Sequence, residues 1–173
     1  INSYDYAIIA VGAHNMEMPI PHDNSNIVSS WDVLNGQEVT GDCVVIGGGL
    51  VGAETAEYLA NKGHQVTIVE MMDKIAAGES TTVLPLMMKD FADHNVKQLV
   101  NTKVDHIENN IVYTANDQIK ADTIINALGS KKNIFDDSSI TIPHVCVGDC
   151  SGERTADIAS AIRTAYHAAN AID

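Results

Sequence analysis

The stretch DCVVIGGGLVGAETAEYLANKGHQVTIVE, from Asp42 to Glu70, holds a strand, a glycine turn, a helix and a second strand in that order. Cys43, Val44, Val45 and Ile46 make a short apolar run of the kind a parallel strand buried on both faces requires. It feeds directly into Gly47-x-Gly49-x-x-Gly52. The helix that follows is predicted over Val51 to Lys62, with Ala53, Ala56, Leu59 and Ala60 on one stripe and Gly63 as a left-handed stop. Gln65 to Val69 then alternates and is β-branched, so a second strand should run parallel to the first.

Each part of this unit has a chemical use. Gly47 permits the tight turn out of the strand, Gly49 lets backbone approach a pyrophosphate, and Gly52 lets the helix pack closely on the sheet. Gly47, Gly48, Gly49, Leu50, Val51 and Gly52 thus present backbone N–H groups and a positive dipole end to an anion. Glu70 closes the second strand about 20 residues further on, where a carboxylate accepts the ribose hydroxyls of an adenosine and repels a 2′-phosphate. Met71 and Met72 follow, without an Arg to hold such a phosphate, so NADH should be preferred over NADPH. Lys74 is the nearby cation in the sequence that tempers this preference.

The rest of the 173-residue chain fits an α/β body around that unit. A net charge of −13 excludes the electrostatic footprint of a nucleic-acid or anionic-membrane binder, so local dipoles must hold any anionic ligand. No apolar run approaches a membrane span, and three cysteines in this setting favour a reduced, cytoplasmic chain. The chain opens INSYDYAIIAVGA without a Met, and Tyr6 to Val11 already reads as a core strand ending at Gly12, which leads to the expectation of a fragment. Residues 14–37 are polar and bear Pro19 and Pro21, with a short helix expected near Ser30 to Leu34. Ser80 or Thr81 should cap a further helix carrying Val83, Leu84, Met87, Met88 and Phe91, stopped near Asn95. Val96 to Val100, Val104 to Glu108, Ile111 to Thr114 and Gln118 to Ala121 read as short strands, with hairpin signals at Asn109-Asn110 and Asn116-Asp117. Ala121 to Ser130 is a second strand-to-glycine passage ending at Gly129. His144 to Val147 is a last strand with Gly148 and Asp149 at its carboxyl end, before a helix from Thr155 with Ile158, Ala161, Ile162, Ala165 and Ala169 on one face.

The order of these motifs (Gly12 after a strand, GGGLVGAE, Glu70, ALG at 127–129, VGD at 147–149) resembles the flavoproteins with two dinucleotide-binding domains. Within them, GGGLVGAETAEYLANKGHQVTIVEMMDKIA is most similar to the carboxyl-terminal module of the NADH:flavin oxidoreductases related to 2,4-dienoyl-CoA reductase, 2-enoate reductase and trimethylamine dehydrogenase. The resemblance implies a Rossmann-like three-layer β/β/α fold, with residues 36–130 an NAD(P)-binding domain inserted between partial FAD-domain segments 1–35 and 131–173. It implies NAD at Gly47, Gly49, Gly52 and Glu70, beside Met71, with Gly129 passing near the nucleotide. Gly12, Gly148 and Asp149 would lie on the FAD side, Asp149 meeting the ribityl or pyrophosphate region. It further implies a parent with an FMN-bearing barrel and a 4Fe-4S cluster outside this chain, whose missing parts would be its partners. The uncovered FAD side should favour self-association into a homo-oligomer.

Two readings of Glu54 remain open: a residue turned toward the nicotinamide, or a solvated first-turn carboxylate favoured by the helix dipole. Cys146 and Cys150, spaced C-x3-C, read as structural thiols, and the seven scattered histidines suggest no metal site. No side chain stands out as a general acid or base. The sequence-level function is the nucleotide-binding portion of a flavin-dependent oxidoreductase, with a non-catalytic adenine-nucleotide module, or part of a self-sufficient NADH oxidase or disulfide reductase, as the alternatives.

Overall fold

The computed structural model describes residues 3–78, 82–152 and 158–172. In chain order the strands are β1 (Ala7–Ile9), β2 (Ala13–Asn15), β3 (Ile27–Ser29), β4 (Cys43–Ile46), β5 (Val66–Val69), β6 (Lys97–Leu99), β7 (Val104–Glu108), β8 (Ile111–Thr114), β9 (Gln118–Lys120), β10 (Thr123–Asn126), β11 (Ser130–Lys132) and β12 (His144–Cys146). The helices are α1 (Ser30–Leu34), α2 (Leu50–Asn61), α3 (Leu84–Asp93) and α4 (Ile158–Asn170), with a 3-10 turn at Gly148–Cys150. The chain forms two compact units, Asn15–Gly129 and, from its two ends, Ile1–His14 with Ser130–Asp173.

The larger unit is Rossmann-like. Its central sheet runs β3-β10-β4-β5-β6, every pairing parallel. Strands β4 and β10 are buried along their whole length, as expected of strands covered on both faces. One face packs Val45, Ile68 and Ile125 against Val33, Leu59 and Phe91 of the three helices. The other packs Val44, Ile46 and Ile124 against Ile107 and Val112 of the antiparallel β7-β8-β9 sheet. The order of layers is therefore β/β/α.

Local chemistry accounts for the element ends. Ser29 caps α1, its hydroxyl accepting the Asp32 N–H at 3.0 Å. After α2, Gly63 takes φ +92°, its N–H bonding the Ala60 carbonyl and the His64 N–H the Leu59 carbonyl, which is a Schellman closure. Asn95 ends α3 the same way at φ +57°. Asn109 and Asn110 both have positive φ, as a two-residue type I′ hairpin demands, whereas neither Asn116 nor Asp117 does. The proposed caps Ser80 and Thr81, and the helix start at Thr155, lie outside the described residues; within them α3 begins after Val83.

Two boundaries differ from the sequence reading. The first unit seam falls after His14, not after residue 35, and the second after Gly129, because β3 joins the parallel sheet beside β10 and His22 bridges Ile107. Residues 15–35 are polar and proline-bearing, so their place as an edge of this sheet had no periodic signature. In the smaller unit β1 and β12 pair in parallel, and α4 is rotated from the predicted face. Ile158 and Ile162 are exposed, while Thr164 turns inward to accept the Gly148 N–H at 2.8 Å.

Phe91 is 1% exposed in the helix-side core. Phe91→Ala should lower the unfolding free energy of the larger unit by about 3–5 kcal/mol, read by urea denaturation through the single Trp31 on α1.

Candidate functional site

The carboxyl ends of β10, β4, β5 and β6 come together at one edge of the parallel sheet, the end where such sheets bind ligands. A cavity of about 490 Å³ opens there. Its lining brings together Gly47, Gly49, Glu70, Met71 and Gly129, predicted from separate stretches of sequence.

The three fingerprint glycines answer three different steric demands. Gly47 has φ +101°, and a Cβ there would stand 2.5 Å from the Ala127 carbonyl oxygen that follows β10. A Cβ at Gly52 would stand 1.9 Å from the Gly47 carbonyl oxygen, so α2 rests directly on the turn it follows. Gly49 has φ −65°, which any residue can adopt, and a Cβ built on it meets nothing within 4 Å. Its neighbourhood is open space in front of α2, whose N-terminus has no side-chain cap. That combination fits a pyrophosphate, with first-turn N–H groups left for an external acceptor. Gly48 is committed within the protein: a Cβ would come 2.5 Å from Ile75, and its carbonyl accepts the Ala76 N–H at 2.7 Å.

Glu70 is the brace of the site. One carboxylate oxygen accepts the Gly48 N–H at 2.6 Å and the other accepts the Met72 N–H at 2.7 Å. The same side chain thus ties the glycine turn to the segment leaving β5. Each oxygen retains lone-pair capacity for a further donor such as a ribose hydroxyl. The neighbouring segment is stitched alongside: the Glu70 N–H bonds the Leu99 carbonyl, Thr102 N–H the Glu70 carbonyl, and Asn101 N–H the Met72 carbonyl.

Other predicted residues stand apart from the cavity wall. Leu50 and Val51 are exposed on the first turn of α2, and Gly52 and Gly48 support the wall from behind. Glu54 is exposed one turn along, and its charge adds to burial and Asp90 in raising the Glu57 carboxyl. Gly12, Gly148 and Asp149 belong to the other unit, where both glycines have φ +67° and Asp149 sits half-buried in the 3-10 turn. The cation on the cavity wall is Lys103, joined by Thr102, whereas Lys74 is not part of the lining. The strand order carried the missed signal: β6 lies beside β5, so the residues after β6 must border those after Glu70. Pro19, Ile20 and Leu128 complete an apolar wall contributed by the entering segment and the β10 exit. Asn126 joins these two, its side-chain amide donating to the Met16 carbonyl at 2.6 Å.

Comparison with known proteins gives the family. The chain belongs to the pyridine nucleotide-disulphide oxidoreductase family. The family profile matches residues 2–145, and membership implies FAD and NAD(P)H as cofactors. The chain is 44% identical over 177 residues to bilirubin reductase of Mediterraneibacter gnavus, an alignment covering 97% of this chain and 28% of that protein. The structure of 2-naphthoyl-CoA reductase with 2-naphthoyl-CoA superposes with a TM-score of 0.81 at 27% identity, covering 94% of this chain and 26% of that one. Histamine dehydrogenase from Rhizobium sp. 4-9 has a TM-score of 0.83 at 19% identity over 98% of this chain and 31% of its own, a likeness of fold. The chain therefore spans about a quarter to a third of the length of these relatives. Within the described residues no helix is long and apolar enough to cross a membrane, and no cluster of three or more His, Cys, Asp or Glu stands ready for a metal.

Two substitutions should separate support from binding. Gly52→Ala, which drives a methyl into the Gly47 carbonyl, should lower the thermal midpoint, while Gly49→Val should leave it within error of the parent in a calorimetric scan. Glu70→Gln presents one acceptor oxygen in place of two, stranding the Gly48 or Met72 N–H, and should cost about 1–2 kcal/mol in denaturant titration.

Proposed function

We propose that this chain is the pyridine-nucleotide-binding portion of a flavin-dependent oxidoreductase, which positions NADH for hydride transfer to FAD. The observation that carries this is the single cavity in which an open Gly49, an uncapped α2 N-terminus and a braced Glu70 carboxylate meet at the carboxyl edge of a parallel sheet. Gly47, Gly49 and the first turn of α2 hold the pyrophosphate by backbone N–H groups. Glu70 accepts the adenosine ribose hydroxyls. Met71, Met72 and Val104 flank the base, and Gly129 lets the β10 exit pass close to the nucleotide. On the FAD side, Gly12, Gly148 and Asp149 form the parts of the second site that this chain supplies. Bound NADH supplies the hydride and FAD accepts it; the protein contributes position, dipole and shape. In the parent, electrons pass on to a 4Fe-4S cluster and an FMN-bearing barrel, as in the enoate and dienoyl-CoA reductases that the fingerprint region resembles. This reading places the protein in the cytoplasm.

Glu70 carries a negative charge where a 2′-phosphate would sit, so NADH should bind at least tenfold more tightly than NADPH, about 1.4 kcal/mol. Titration calorimetry decides this, and equal affinities would sink the assignment of Glu70. Gly49→Val should lose NADH affinity steeply while keeping its fold; unchanged binding in that variant would move the pyrophosphate elsewhere. The sequence contains one glycine fingerprint, so the purified chain should be colourless, and an absorbance spectrum with one tightly held flavin per chain would contradict the partial character of its FAD side.

A further inference from the structure

Ala76 holds a backbone conformation that its side chain disfavours. Among the described residues five that are not glycine have positive φ: four are asparagines, which tolerate it, and the fifth is Ala76 at φ +50°. Ala76 is wholly buried beside Ile75 in the helix-side core, although Asp73 and Lys74 before it and Ala77 after it are exposed. Strain of this kind persists only where surrounding contacts over-determine it, and it gathers at ligand clamps. The contact that holds Ala76 reaches the glycine turn. Its N–H donates to the Gly48 carbonyl at 2.7 Å, and Ile75 packs so closely on Gly48 that a Cβ there would stand 2.5 Å from Ile75 Cδ1. On its other side Gly48 donates its N–H to Glu70 at 2.6 Å. Both peptide bonds that flank Gly48 are therefore fixed, one by Glu70 and the other by Ala76.

A trans peptide sends its C=O and N–H in opposite directions, so the Gly48 carbonyl, turned toward Ala76, points the Gly49 N–H away from it. Gly49 lines the nucleotide cavity, and no described residue accepts from its N–H. We infer that Ala76 is a positioning residue: by taking the left-handed conformation it orients the Gly48–Gly49 peptide so that the Gly49 N–H faces the pyrophosphate of the bound nucleotide. This rests on the nucleotide reading of the cavity. Ala76 acts only through Gly48 and touches no ligand itself. The strain at Ala76 is carried in the empty protein, so the donor at Gly49 is aimed before the ligand arrives and its ordering is not charged against affinity.

Comparing ADP with adenosine isolates this effect, because only ADP carries the pyrophosphate. Ala76→Val introduces a β-branched side chain that cannot keep a left-handed backbone, so its N–H should leave the Gly48 carbonyl. Affinity for ADP, read by titration calorimetry, should fall about tenfold, while affinity for adenosine, read by chemical-shift titration, stays within about twofold of the parent. Ala76→Gly loses the methyl but keeps both the N–H and the positive φ, and should bind ADP as the parent does. Equal losses for ADP and adenosine in the valine variant, an unchanged ADP affinity there, or a matching loss in the glycine variant would each overturn the proposal. Should the valine variant not fold, amide exchange in the parent protein supplies the second test: by linkage, saturating ADP should slow exchange of the Ala76 N–H about tenfold and saturating adenosine should not. Exchange unmoved by ADP, or slowed equally by adenosine, would refute the role. A parent that binds neither ADP nor NADH would instead refute the nucleotide site itself, and this inference with it.

Discussion

Everything at the nucleotide edge depends on how closely α2 can approach β4. The Gly47 carbonyl stands where a Cβ of residue 52 would be, 1.9 Å away, so even alanine would push the helix outward. That contact seats the α2 N-terminus over the end of β4 and keeps its amide groups directed at the mouth of the cavity. The positive φ of Gly47 and the approach of the Ala127 carbonyl tighten the same corner from the side of β10. Three glycines in one turn are thus a packing requirement at two positions and leave open space in front of α2 at the third.

A second constraint is electrostatic. The chain carries a net charge of −13, and its ligand is itself an anion. Long-range attraction cannot assemble the complex, so affinity must come from short-range dipoles in a site where donors are already aimed. Glu70 adds a negative charge at that site and is held there by two backbone N–H groups. It shapes the glycine turn and, under the proposed function, would also select the ribose, so these two roles cannot be mutated independently. Lys103 is the cation that lines the same cavity.

The parts of the fold that were readable from residues alone are those whose periodicity is unbroken. β4 spans the four apolar residues expected of it, Cys43–Ile46, and α2 begins one residue before the predicted helix and ends one before its predicted end. The type I′ turn at Asn109-Asn110 follows from asparagine's tolerance of positive φ. The strand β3 resisted, because an edge strand of three residues has neither length nor alternation to mark it, whereas the helix that follows it spans the Ser30–Leu34 expected of it. The inward face of α4 resisted as well, since small residues and Thr164 face the turn while isoleucines remain outside.

The chemistry of a nucleotide site is written locally: strand, glycine spacing, helix and terminal carboxylate lie within one contiguous stretch, and each has a steric or electrostatic reason that does not depend on distant residues. Their meeting with Gly129, Met71 and the 102–103 segment is a property of strand order, because four strands distant in sequence must deliver their ends to one edge before a cavity exists. The bracing of the Gly48 amide by Glu70 and the place of Lys103, rather than Lys74, on the cavity wall arise only then. Such contacts are set by through-space distances of a few ångströms, to which residue spacing along an extended chain is blind.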